Sequence, residues 1–421
     1  MTNEQPAFSS LLSGFLILGL CVVMTALSRG AGETFSVFLL PLSSNFEWER
    51  ASVASVYSVY MVSVGLGSLL AGVTFDRFGA RFNYLSGTLI LAITYLSAGS
   101  LNQLWQFYIV IGVGGGVGAS MIGLVPTQSL VSRWYHKRLS TALSVGYASQ
   151  GLGTLTLVPL AQWFIEQSNW QNAYSSIGWI FVAVFMLMVF LPWKVIEGGS
   201  INNPRKVHKG KSIGGLTLQE ALSTKAFWAF FGIFAASAVG IFGISLQSVA
   251  YLIDQGYSEL EAAFAFGTVG MLSFVGMVIT GIAAEYWPRH LVATLSYTLS
   301  LLGIAALALL QHQAHPLLLI MYIAGLGLSS GARGPIVTTL MAELFAGRGL
   351  ASIYGAANIG QGVGAAIGAL VAGYLYDITG NYNSGFIVCA LSLLFGLTIF
   401  WSVPEIRQAA TTTTDTQLNK R

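Results

Sequence analysis

Twelve apolar runs, each long enough to cross a lipid bilayer, constrain this chain more than any other feature. They cover 11–42, 51–73, 83–100, 105–131, 139–165, 172–194, 226–252, 260–284, 290–311, 316–343, 350–375 and 383–403. A hydrocarbon core of about 30 Å takes roughly 20 helical residues per crossing, and a membrane strand about half that, so the runs predict helices. Only 8% of the 421 residues are charged, against about 25% in soluble domains. The 49 glycines fit close helix packing in lipid. No Lys or Arg precedes Arg29, so the first run reads as a span and not a secretory signal. Cys21 and Cys389 both lie inside apolar runs and predict neither a disulfide framework nor a metal site.

Short cytoplasmic loops collect Lys and Arg. With both termini inside, 16 of the 19 basic residues fall on the cytoplasmic side, leaving Arg50 outside and Arg29 and Arg333 within the membrane. The expected product is a multi-pass protein of the cytoplasmic (inner) membrane with both termini cytoplasmic. One long polar stretch separates the sixth and seventh runs. It gives an N-terminal six-helix bundle at 1–195, a basic cytoplasmic linker at 196–225 and a C-terminal six-helix bundle with a short tail at 226–421. The linker's basic residues suit contact with the inner leaflet.

The two halves overlay at an offset of 209 residues. Gly72 pairs with Gly281, Asp76 with Glu285 and Arg81 with His290; Gly116, Gly118, Ser120 and Pro126 pair with Gly325, Gly327, Ser329 and Pro335. Gly67 pairs with Gly276, and "QGLG" at 150–153 meets "QGVG" at 361–364 at offset 211. Duplicated halves of this kind place a site at the repeat interface near the midplane.

With these residues in place, the whole chain resembles the major facilitator superfamily. Its loop after the second helix carries Gly72, Asp76, Arg77, Gly79 and Arg81 in the family's pattern, with Ala80 and Asn83 at positions that are often basic. The resemblance implies that Asp76 caps or pairs at a helix end while the arginines latch the cytoplasmic face as a gating motif. "FSVFLLPLSSNFEWERASVASVY" and "WYHKRLSTALSVGYASQGLG" resemble the monocarboxylate-porter-like and oxalate/formate-like branch, through Trp134, Tyr135, Lys137, Arg138 and Ala142, with Ser144 in place of glycine. Against that branch, the first helix offers Arg29 and Glu33 instead of Lys, and the eighth has no internal Arg or Asp. The glycine-and-proline antiporter motif of many drug exporters is missing from the fifth helix.

Charges inside the membrane define the candidate site. Arg29 and Glu33 are spaced i, i+4 on one helix face and can bridge. Each costs about 2.5–3.5 kcal/mol at the membrane centre unless paired or hydrated. Two readings stay open: a structural pair, or a cavity-facing pair in which Glu33 exchanges a proton and Arg29 holds it or a substrate anion. Arg333 lies at mid-depth beside Gly331, Gly334 and Pro335, which loosen the helix. Its planar guanidinium suits a carboxylate; the alternatives are a bridge to Glu33 or Glu343, or satisfaction by backbone carbonyls. Tyr57, Tyr60, Gln247, Tyr251, Asn358 and Gln361 form a candidate neutral recognition shell, with Gln128 and Gln150 also polar in the membrane. Each amide equally suits an interhelical hydrogen bond. Trp105, Trp163, Trp179 and Trp193 read as interfacial belts.

"GVGGGVG" at 112–118 lacks the strand and spacing of a nucleotide loop, and no Walker lysine follows, so its glycines read as packing. The five histidines lack metal-ligand spacing. The expected protein is no enzyme: it needs no cofactor or metal, touches no nucleic acid and acts as a monomer in the lipid bilayer. It is a proton-coupled secondary transporter (a symporter) of a small carboxylate or other organic anion. The rivals are a carrier of a neutral or zwitterionic metabolite or vitamin, an exporter, or a transporter-like sensor.

Overall fold

The computed structural model describes residues 6–135, 139–198, 218–311, 315–331, 333–345 and 350–404. The basic linker residues Arg205, Lys206, Lys209 and Lys211, and the side chains of Asp76, Glu285 and Glu343, lie outside what is described. Among the described residues all regular structure is helical, in two bundles of six crossings. Nine segments are long and apolar enough to span on composition alone. The third crossing (80–98), the fifth (Leu139–Gln167) and the broken tenth complete the set.

Several crossings are interrupted, and the interruptions follow from the local residues. The first runs Pro6–Glu33 and resumes as Phe35–Phe46. Around the joint Thr34 Oγ1 donates to the Ala31 carbonyl at 2.6 Å and Ser36 Oγ to the Glu33 carbonyl at 2.7 Å. The second and third crossings form one hydrogen-bonded stretch, Arg50–Ala98, that reverses at Gly79, φ 84° and ψ −178°. Only glycine takes that conformation without strain.

The fourth crossing widens into a π-helical stretch at Tyr108–Gly115 and breaks at Gly123, ψ −146°, before Leu124–Trp134. The tenth is Pro316–Ser330, then Arg333–Leu344. At the 209-residue offset, the break at Gly123 falls between Gly331 and Arg333, so both halves interrupt the same helix at the same place.

Glycine notches repeat in the same way. A Cβ at Gly153 would strike the Ala26 backbone, and one at Gly364 would strike the Ala235 backbone, the repeat equivalents of one another. Gly276 likewise meets the Leu328 backbone, and Gly67 meets Ser120 and Val117. Close backbone approach substitutes for a hydrophobic driving force, which lipid does not supply between helices. Gly112, Gly116 and Gly118 press on Val59, Ser63 and Leu91, so "GVGGGVG" is a packing surface.

The halves meet through the second and eleventh crossings and the fifth and eighth. Ser58 Oγ donates to the Ala366 carbonyl at 2.7 Å, and Gln162 Nε2 to Glu259 Oε2 at 2.6 Å. Near the start of the second crossing, Asp377 accepts from the Arg50 and Ala51 backbone N–H groups at 3.0 and 2.6 Å. The Arg50 guanidinium pairs with Asp254 at 3.1 Å, donates to Tyr382 and lies 3.8 Å from the Tyr376 ring centre. These contacts sit toward the Arg50 end of the bundle, opposite the Gly79 turn. Trp105, Trp163 and Trp179 are exposed as belt residues, but Trp193 is buried and donates to the Met188 carbonyl at 2.7 Å, a correction to the belt expectation.

Candidate functional site

The bundles enclose a central cavity of about 250 Å³ and, inside the first bundle, a side chamber of about 110 Å³. Arg29, Glu33, Leu124 and Gln150 line both. Arg29 Nη2 and Glu33 Oε1 are 2.5 Å apart, so the i, i+4 pair forms. Glu33 is buried, whereas the Arg29 side chain keeps 32% of its exposure. Tyr57 donates to Glu33 Oε1 at 3.5 Å, and its ring lies between those of Phe35 and Tyr60. Across the interface the Arg29 guanidinium sits 5.1 Å from the centre of the Phe242 ring. Phe242 is the repeat equivalent of Glu33, so the charged pair of one half faces its own symmetry position in the other.

Arg333 opens the lower segment of the broken tenth crossing and is buried. Its Nε donates to Ser296 Oγ at 3.3 Å, its Nη2 to Ser300 Oγ, and its guanidinium lies 4.3 Å from the Tyr297 ring centre. Ser329 holds Ser300 at 2.6 Å between hydroxyls. Among the described residues no carboxylate lies within 4 Å of Arg333, and its Nη1 is buried without a hydrogen-bond partner. The expected bridge from Arg333 to Glu33 does not form, and Glu33 pairs with Arg29 instead. Arg333 lines the central cavity, and a buried guanidinium nitrogen left without an acceptor carries an unmet hydrogen-bonding demand.

Asn358 and Gln361 line the same cavity, and Asn358 Oδ1 is buried without a partner. Tyr60 lines the side chamber. Gln247 and Tyr251 are not among the residues lining either cavity. Tyr251 donates to the Leu307 carbonyl at 2.5 Å, and Gln247 is 2% exposed with neither amide atom bonded. Their i, i+4 spacing does place them on one face, but that face packs inside the second bundle.

Sequence reasoning missed the apolar wall of Phe242, Phe266, Phe274 and Met277. Phe266, Gly270 and Phe274 repeat every four residues, a signal legible only once the eighth crossing is known to face the cavity. It also missed that Arg50, the lone outer cation, meets Asp254 from the other half. At the Gly79 turn, Glu197 Oε1 accepts from the Arg81 backbone N–H at 2.8 Å, Arg77 is exposed beside Phe78, and Gly72 packs near Val125. Among the described residues no group of His, Cys, Asp and Glu could hold a metal ion.

The fold and the charged interface cavity define a membrane transporter. The Major Facilitator Superfamily family model matches residues 18–352 and 289–419, and the chain belongs to that superfamily. It is 26% identical over 397 residues to monocarboxylate transporter 13 of Bos taurus, covering 93% of this chain and 89% of that protein. Monocarboxylate transporter 12 of Homo sapiens is 22% identical over 411 residues (91% and 78%), and the uncharacterized MFS-type transporter YcxA of Bacillus subtilis 23% over 366 (85% and 87%). Among solved structures, a D-xylose–proton symporter superposes with a TM-score of 0.71 at 14% identity, over 94% of this chain and 99% of that one. The nucleoside transporter NupG gives 0.70 at 12%, over 92% and 98%. These two likenesses concern the fold alone.

Proposed function

We propose that the chain carries a small organic monoanion, a carboxylate, across the cytoplasmic membrane by alternating access. The observation that carries this reading is Arg333, a buried cation that lines the central cavity at mid-depth, with one nitrogen lacking a hydrogen-bond partner and no carboxylate beside it among the described residues. Arg29 and Glu33 cancel, so one positive charge remains for one carboxylate. The names of the monocarboxylate transporters point to the same chemistry. The positive-inside rule puts the Gly79 turn and both termini in the cytoplasm. The inter-half contacts near Arg50 then correspond to a state closed to the outside.

Glu33 is the proposed proton site. Protonated, it releases Arg29 from its ion pair; deprotonated, it holds Arg29 again, so substrate and proton can share one charge balance. The test is counterflow of a labelled carboxylate into proteoliposomes, with Arg333→Gln alongside. The expected result is at least a tenfold rise in half-saturation for carboxylates at equal protein level. Unchanged uptake would overturn the anion reading. A second reading, a neutral or zwitterionic substrate with structural charges, is favoured by the 2.5 Å Arg29–Glu33 pair and predicts that unchanged result.

A further inference from the structure

The cavity's second-half wall sets a run of aromatic and apolar side chains beside Ser237, Ser245, Ser273, Ser330, Asn358 and Gln361. Ser237 shares its hydroxyl with Tyr297 at 2.8 Å, Ser273 donates to the Gly270 carbonyl at 2.6 Å, and Ser330 to the Leu326 carbonyl at 2.5 Å. Ser273 and Ser330 spend their protons within the protein and keep only acceptor lone pairs for a solute. The apolar side chains that the seventh and eighth crossings bring to the cavity include Phe242, Phe266, Phe274, Val269 and Met277. Phe266 and Phe274 share a helix face across Gly270, where a Cβ would come within 2.6 Å of the Thr154 side chain. That glycine draws the fifth crossing in and leaves the two rings bordering the cavity.

Size narrows the ligand further. A dry apolar cavity of about 150 Å³ takes one benzene molecule, so about 250 Å³ accommodates a single ring with a short acid arm. Charge narrows it again: among the described residues Arg333 is the cavity cation without a carboxylate partner, and it matches one carboxylate.

We propose that the preferred ligand is a monocarboxylate whose body is one aromatic ring or an apolar group of that size. The carboxylate meets the Arg333 guanidinium, and the ring lies among Phe242, Phe266 and Phe274. This rests on the anion reading of Arg333 and adds to it the nature of the body. Polyols and short hydroxy acids are the solutes the cavity disfavours, because they leave the ring wall unfilled.

The test measures dissociation constants on the full chain in lipid nanodiscs by calorimetry, with 3-phenylpropanoate, propanoate and 3-phenylpropanamide as probes. A single apolar group in a pocket is worth about 10- to 200-fold, so 3-phenylpropanoate is expected to bind at least tenfold tighter than propanoate. Phe274→Ala, checked for parental thermal stability, narrows that gap to about threefold or less while leaving propanoate within about twofold. If it unfolds, Phe266→Leu gives the same comparison. Arg333→Gln weakens both acids and spares the amide. Equal affinity for the two acids, both weakened by Arg333→Gln, overturns the ring-slot proposal and leaves the anion reading standing. An amide that binds as tightly as its acid overturns both.

Discussion

Removing the Asp377 carboxylate should open the Arg50 end of the protein. Asp377, on the eleventh crossing, accepts from the first two N–H groups of the second, which belongs to the other half. It serves as a helix cap supplied across the interface, since Glu49 at the cap position makes no side-chain cap bond. Cap removal costs about 0.5–2 kcal/mol, and a carboxylate at a helix N-terminus contributes about 0.3–1 kcal/mol more. The neighbouring Arg50–Asp254 pair, whose side chains are 12% and 35% exposed, stays in place and contributes about 1 kcal/mol or less of its own. The whole Asp377 contribution disappears when the halves part, so Asp377→Ala should shift the closed-to-open ratio by about 4- to 150-fold. Spin labels at Asn45→Cys and Thr379→Cys report it. Both positions are exposed, on opposite halves at that end, and both native cysteines are buried. Pulsed dipolar spectroscopy should show a longer distance gaining population in Asp377→Ala, with Asp377→Asn between the two because one acceptor oxygen survives. Superimposable distance distributions for all three proteins would refute the cap argument.

Glu33→Gln should keep substrate exchange but lose accumulation driven by a proton gradient; equal gradient-driven uptake by the variant and parent proteins would remove Glu33 from coupling. Gly153→Val forces a side chain into the Ala26 backbone and should destabilise the protein by about 1–3 kcal/mol. Gly19→Ala, with nothing within 4 Å of the added atom, should leave detergent melting temperature unchanged. Gln247→Leu removes a buried amide with no partners and should leave transport intact while matching or raising the melting temperature. A transport defect in a stable Gln247→Leu protein would return that residue to the site.

The sequence carried the architecture because bilayer chemistry writes itself into linear patterns. Run length records helix crossings, Lys and Arg placement implies orientation, and the 209-residue offset announces the duplicated halves. Even the Gly153 and Gly364 notches were visible as a repeated QGxG, and the loosened tenth helix as Gly331, Gly334 and Pro335 around Arg333. Spacing also foretold the Arg29–Glu33 bridge, because i, i+4 is a property of one helix.

Tertiary structure alone decided which polar residues share a cavity. Gln247 and Tyr251 obey the same spacing as Arg29 and Glu33, yet rotation of the seventh helix turns them into its own bundle and presents Phe242 to Arg29 instead. The ring wall of Phe266 and Phe274 and the Asp377 cap are contacts between segments more than a hundred residues from their partners in the other half. In lipid both faces of a helix can be apolar, so no hydrophobic stripe in the sequence marks which face looks inward. That choice is made by the packing of the twelve helices against one another, and the position of the unpaired Arg333 nitrogen follows from it.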